Sequence, residues 1–341
     1  MGWAELLRSL VIALRPVPVH RCVDAVMSGI EQLAFAGSDG FRLEGYRLAR
    51  PVADGSPSAV AIFVHGMAEH ARRYAATATE LATVGVLSYS YDQRGHGPHA
   101  QRSGSLGFVA ERDGFSLLVR DLVCVIDQLR ANYPAVPLIL LGQSMGSLVI
   151  RDYLQRYGDH AARVHAVVLS GTVKHPGFAG RLALLYALAL RTTRGARASA
   201  GELHRLTFGS YGRRFRPQRT PFDWLSREPS AVDAYAEDPL CGFVCSVGFY
   251  VDLLRAALRT NGRRAAAATP AVLPMLLISG AVDPVGGFGR GVRGAAARYR
   301  RHGVQRVTLR LFEDARHELY HETNGRQVWS SVKQWLLEEA L

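Results

Sequence analysis

Three residues far apart in the chain, Ser144, Asp283 and His317, are of the types that together cleave acyl bonds. A serine hydroxyl is a poor nucleophile until a base takes its proton, and the base needs an anion to orient it. Ser144 lies in Gly142-Gln143-Ser144-Met145-Gly146, a hydroxyl between two glycines. That spacing lets the chain leave a strand, turn sharply and enter a helix, because side chains two before and two after the serine would block the turn. The helix N-terminus then aims N–H groups at a developing anion.

The partners belong on loops just past strand C-termini. Asp283 follows the apolar run 275–278, and His317 follows Val307–Phe312. The residues leave alternatives open. His321 is four beyond His317. Asp314 could replace Asp283, although it is too near His317 in sequence to approach from the opposite side. His302 precedes the last run, at the wrong end of a sheet. The oxyanion needs two donors: the N–H of Met145, just after the nucleophile, and that of Met67, in the His65-Gly66-Met67 loop after Ala59–Val64. His65 reads as a residue that holds this loop. Asp92, Arg94 and His96 read as braces, and Glu69 with Arg73 as an ion pair four apart.

These positions require a sheet. Short apolar runs at Ala59–Val64, Val86–Tyr91, 138–141, 164–169, 275–278 and Val307–Phe312 read as strands, the first five hydrophobic enough for a parallel sheet covered on both faces. Helical patterns fall between them, at 72–84, 115–132, 145–157, 289–301 and 327–339. Runs at 30–35 and 41–48 around Ser38-Asp39-Gly40 predict a hairpin, hence an α/β fold with an antiparallel beginning. The alternation stops between Thr172 and Thr269. So long a stretch predicts an inserted cap or lid, dividing the chain into a core over 1–171, a cap over 172–269 and a second core part over 270–341. Within the cap, 182–190 and a stretch near 247–258 read as helices, and Ala265 to Ala268 as the return linker. The apolar face of 182–190 would line an acyl-chain tunnel, touch a lipid surface or simply pack.

Composition narrows the partners. The formal charge of +12 would suit an anionic partner, but all basic residues except Lys174 and Lys333 are scattered arginines, a bias typical of GC-rich genomes, and no nucleic-acid motif accompanies them. Nucleic acid is therefore excluded as a partner. Four cysteines are too few for a disulfide framework. Cys241 and Cys245 have no histidine or cysteine close in sequence to complete a metal set, so no metal is expected, and Cys22, Cys124, Cys241 and Cys245 read as small buried thiols. The N-terminal stretch reads as a short amphipathic helix rather than a signal peptide or a membrane span, implying a cytoplasmic protein, at most peripheral to a membrane.

Taken together, "HGMAEH" (65–70) with Arg73-Tyr74, "YDQRGHG" (91–97), the Ser144 turn, "SGAVDPVG" (279–286), "ARHEL" (315–319) and the cap stretch 222–243 resemble the monoacylglycerol lipase and lysophospholipase group of α/β-hydrolases. The resemblance spans about 41–341. It implies an α/β-hydrolase fold and a serine carboxylester hydrolase with no metal or organic cofactor. Its substrate would be an acyl ester of a glycerol-type lipid, with transient membrane-surface contact through the cap. It maps the triad onto Ser144, Asp283 and His317 and the oxyanion donors onto Met67 and Met145. Two departures are Gln143, where relatives usually carry histidine, and Pro98-His99-Ala100 after "GHG". Rival readings are a serine aminopeptidase, using Glu202, Asp223, Glu228, Asp233, Glu237 or Asp238 to hold a substrate amine, and a catalytically silent ligand-binding protein on the same fold.

Overall fold

A computed structural model describes residues 29–49 and 56–341. The predicted N-terminal helix and Cys22 lie outside the described residues. Eight strands form one sheet in the order β1-β2-β4-β3-β5-β6-β7-β8: β1 Glu31–Ala36, β2 Arg42–Ala49, β3 Ala59–Val64, β4 Val86–Tyr91, β5 Leu138–Gln143, β6 Ala166–Ser170, β7 Met275–Gly280 and β8 Val307–Phe312. β1 and β2 form the predicted hairpin, whose turn is closed by Gly37 N–H donating to Phe41 O at 2.7 Å. β2 pairs antiparallel with β4, and the pairings from β4 through β8 are all parallel.

β3, β5 and β7 are buried at every position, as continuous apolar runs with no polar face must be. Strand alternation divides their side chains between two cores. Ile62, Leu140 and Leu277 face one side, with Leu122 of α3 (Gly114–Asn132) and Ile150 of α4 (Met145–Arg156). Phe63, Leu141 and Ile278 face the other, with Leu81 of α1 (Ala75–Ala82) and Trp335 of α11 (Gly325–Glu339). A short α2 (Gly97–Arg102) follows β4, and α10 (Arg290–Arg301) joins β7 to β8.

Between β6 and β7 the chain makes five helices: α5 Gly177–Arg194, α6 Gly201–Phe208, α7 Pro229–Glu237, α8 Val247–Thr260 and α9 Arg263–Ala267. α5 and α8 extend the two predicted helices. The alanine patch predicted to be a linker is instead largely the end of α9, as a run of the strongest helix former favours. α7 was not predicted, although its signals are present: Pro229 opens the first turn and the Glu228 carboxylate accepts from Ser230 N–H. α5 buries Gly180, Ala187 and Leu190 but leaves Phe178, Leu182, Leu185 and Tyr186 exposed.

Candidate active site

Ser144 sits between β5 and α4 at φ 51°, ψ −113°, a backbone region that costs a non-glycine residue on the order of 1–3 kcal/mol. The flanking glycines are obligatory. A Cβ on Gly146 would overlap the Val64 carbonyl, and one on Gly142 would stand 2.7 Å from Ser147 N. Ser144 N–H donates to Ser170 O at 2.9 Å, which anchors the turn to β6.

His317 and Asp283 come from the loops after β8 and β7. Asp283 is fully buried; Oδ1 accepts from Val285 N–H at 2.8 Å, and Oδ2 lies 3.1 Å from His317 Nδ1. That contact is close but off the ring N–H axis, an ion-pair contact rather than a straight hydrogen bond. Burial disfavours the imidazolium, yet the Asp283 carboxylate, aided by Glu318 and Glu69, outweighs it and holds the His317 pKa above its ordinary value. Trp224 packs on the imidazole with ring centroids 5.2 Å apart. Asp314 lies in the turn after β8, and His321 is engaged with Glu318 at 3.2 Å. His302 ends α10, before β8.

Several positioning groups lay outside the sequence reading. Gln143 donates from Nε2 to the His317 carbonyl at 3.0 Å, giving the departure from histidine at this place a definite task. Gly171, at φ 55°, lies against the His317 imidazole, since a Cβ there would come 2.9 Å from His317 Cε1. Neither contact has a local sequence signature, because each joins segments from different crossovers.

The loop 65–70 is held as predicted, with more partners. His65 donates from Nδ1 to Gly66 O at 2.7 Å and accepts at Nε2 from Gln93 N–H at 3.0 Å; burial drives its pKa well below normal, so it stays neutral. His96 accepts from Ala68 N–H at 3.2 Å, Arg94 bridges Asp39 and Asp121, and Asp92 accepts from Ala71 N–H and Tyr46 OH. All three are braces. Arg73 pairs with Glu69 at 2.5 Å and also with Glu318, the residue after His317, at 2.8 Å. Gly66 N–H donates to Glu69, and Ala68 N–H to His96, whereas no acceptor among the described residues takes the N–H of Met67 or Met145.

Ser144, Met67, Gln143 and His317 line one cavity of about 300 Å³, walled by Phe208, Phe222, Trp224 and Leu225 from the segment between β6 and β7. Of the acidic residues predicted as amine holders, none lines it. The carboxylates that do, Glu69 and Glu318, are both engaged by Arg73. No residue of 182–190 lines it either.

A mostly parallel eight-stranded sheet covered by helices, with a strained serine turn at a strand C-terminus, defines an α/β-hydrolase. The chain belongs to the Hydrolase_4 family, described as Serine aminopeptidase, S33, which matches residues 55–324. It is 30% identical to a monoacylglycerol lipase of Mycolicibacterium smegmatis over 92% of this chain and 99% of that protein. It is also 30% identical to the Mus musculus monoglyceride lipase over 83% of each. In fold it is similar to a thermostable carboxyl esterase from Bacillus coagulans crystallised with glycerol, with a TM-score of 0.81, 24% identity and coverage of 91% of this chain and 99% of that one.

Proposed function

We propose that the protein is a serine carboxylester hydrolase that cleaves acyl esters of glycerol-type lipids, monoacylglycerols or lysophospholipids, through an acyl-enzyme on Ser144. The observation that carries this reading is the strained Ser144 turn opening into the same apolar-walled cavity as His317, itself backed by the buried Asp283. His317 takes the Ser144 proton as the oxygen attacks the acyl carbonyl, and the Met67 and Met145 N–H groups receive the oxyanion. The proton then passes to the leaving glycerol oxygen. Water, deprotonated by His317 in turn, releases the fatty acid. Asp283 holds the ring and stabilises its charged form. Segment 172–269 acts as the cap that supplies the acyl-binding wall.

Names of relatives such as monoacylglycerol lipase support the ester reading. The absence of a free carboxylate in the cavity lining weighs against an aminopeptidase, which needs one to hold the substrate amine. For membrane contact, the exposed apolar face of α5 supports peripheral docking of the cap on a lipid surface within the cytoplasm. No described helix is long and apolar enough to cross a membrane.

Fatty-acid release from a monoacylglycerol, measured beside Ser144→Ala, tests the reading. The variant should lose at least roughly 10³-fold in turnover while its melting temperature stays put. Equal release by both proteins would remove Ser144 from the mechanism, and release by neither would remove the lipid ester.

A further inference from the structure

Cys241 shows no metal partner in the sequence because the histidine beside its turn, His70, is paired with Asp238 from 168 residues away. Asp238-Pro239-Leu240-Cys241 is a tight turn: Cys241 N–H donates to Asp238 O at 2.9 Å, and Leu240 N–H to Asp238 Oδ1 at 2.8 Å. The turn therefore presents a carboxylate and a thiol together. Opposite stands His70, the last residue of "HGMAEH", with Nε2 2.8 Å from Asp238 Oδ2. One ligand atom from each of the three residues lies within 4.8 Å of the others.

We propose that His70, Asp238 and Cys241 form a binding site for one divalent ion of the zinc type, at the seam between loop 65–70 and the turn 238–241, with water in the fourth position. Thiolate, imidazole and carboxylate are the set that a borderline-soft tetrahedral ion selects. With bonds of about 2.0–2.3 Å, donors in such a site stand roughly 3.3–3.8 Å apart, so the side chains need shift only by about an ångström.

Two features point the same way. His70 is 5% exposed and turns Nε2, the nitrogen that would bind the ion, toward the Asp238 carboxylate, while its Nδ1 has no partner among the described residues and so can carry the ring proton. The Asp238 side chain, 29% exposed, provides an entry path beside buried His70 and Cys241.

Binding converts the Cys241 thiol to a metal thiolate, releasing that proton to solvent, and shifts the His70 ring proton from Nε2 to Nδ1 so that Nε2 can ligate. Because a proton leaves, affinity should rise with pH. The ion would fasten the turn to the loop that carries Met67, where Gly242 N–H already donates to Ala68 O at 2.9 Å.

The test is titration of metal-free protein with Co²⁺, read by absorbance. A near-ultraviolet thiolate-to-cobalt band with tetrahedral visible bands, displaced by one equivalent of Zn²⁺, is expected. Cys241→Ser should abolish the near-ultraviolet band, and Asp238→Asn, at a half-buried position, should weaken Co²⁺ binding at least tenfold. Cys124→Ser should change neither. The melting temperature of each metal-free variant shows that it is folded. No band in the wild type, or a band that survives in Cys241→Ser, overturns the site. The readout needs no ester substrate, so it stands or falls apart from the hydrolase assignment.

Discussion

Two arginines tie the surroundings of Ser144 together by opposite means. Arg73 works through charge. It binds Glu69 of the loop bearing Met67 and Glu318 next to His317, and its guanidinium lies 4.8 Å from the ring centroid of Tyr235 in α7. Arg151, on the nucleophile helix and only 1% exposed, has no carboxylate within ion-pair distance among the described residues. It donates instead to neutral oxygens: Tyr299 OH at 2.8 Å, Thr172 Oγ1 at 3.1 Å, Asn261 Oδ1 at 3.0 Å and Thr260 O at 3.2 Å. Thr172 also accepts from Ser147 one turn beyond the nucleophile, and Asn261 follows α8, so Arg151 holds the two stems of the segment between β6 and β7 to the helix that carries Ser144. Charge pairing beside the base tunes protonation. Neutral pairing at the stems fixes geometry without adding a field.

The contrast is broken most strongly at Arg73. Arg73→Met leaves the buried carboxylates of Glu69 and Glu318 without their shared guanidinium and should cost about 3–5 kcal/mol, read by urea denaturation. The loss should shrink as pH falls. Glu318 is held well below the usual carboxylate range although burial opposes it, because Arg73 favours its ionised form; its stabilisation is therefore present at neutral pH and lost toward acid. A loss independent of pH would mean that Arg73 acts by packing alone. Arg151→Met should cost less, about 1–3 kcal/mol. It strands no charge, and Thr172 and Thr260 keep donors in Ser147 and Gln155, leaving Asn261 Oδ1 and Tyr299 OH as the groups that lose a partner. A larger loss at Arg151 than at Arg73 would reverse the comparison.

The same contrast divides what could be read along the chain from what could not. The strands, the parallel sheet with its antiparallel start and the positions of Ser144, Asp283 and His317 at strand ends were legible, because periodicity and strand-end punctuation are local. So was the Glu69–Arg73 pair, four residues apart. Glu318 on Arg73, Gln143 on the His317 carbonyl, Gly171 against the imidazole and the stem contacts of Arg151 join segments separated by tens to hundreds of residues. Their side chains carry no pattern that announces the partner. The linker reading of 265–268 failed for another reason: an alanine run is low in complexity but high in helix propensity.

The smallest effect is the most specific. The proposed mechanism needs neutral His317, whose pKa lies above the ordinary value of about 6.5, so kcat/KM should fall as pH drops through that raised value. The imidazolium–Asp283 pair correspondingly stabilises the fold in acid and ceases to do so as pH rises through the same value. Burial lowers the His317 pKa; Asp283, then Glu318 and Glu69, raise it. Glu318→Gln removes one of these anions and leaves Arg73 less neutralised, and both changes disfavour the imidazolium. The acid limb of kcat/KM for a monoacylglycerol should therefore move to lower pH by a fraction of a unit. Asn261→Ala, on the Arg151 side, loses hydrogen bonds but no charge, and should lower stability while leaving the limb in place. Equal shifts in both variants would show that the limb reports loosening of the site rather than its field, and the division of labour between the two arginines would fall.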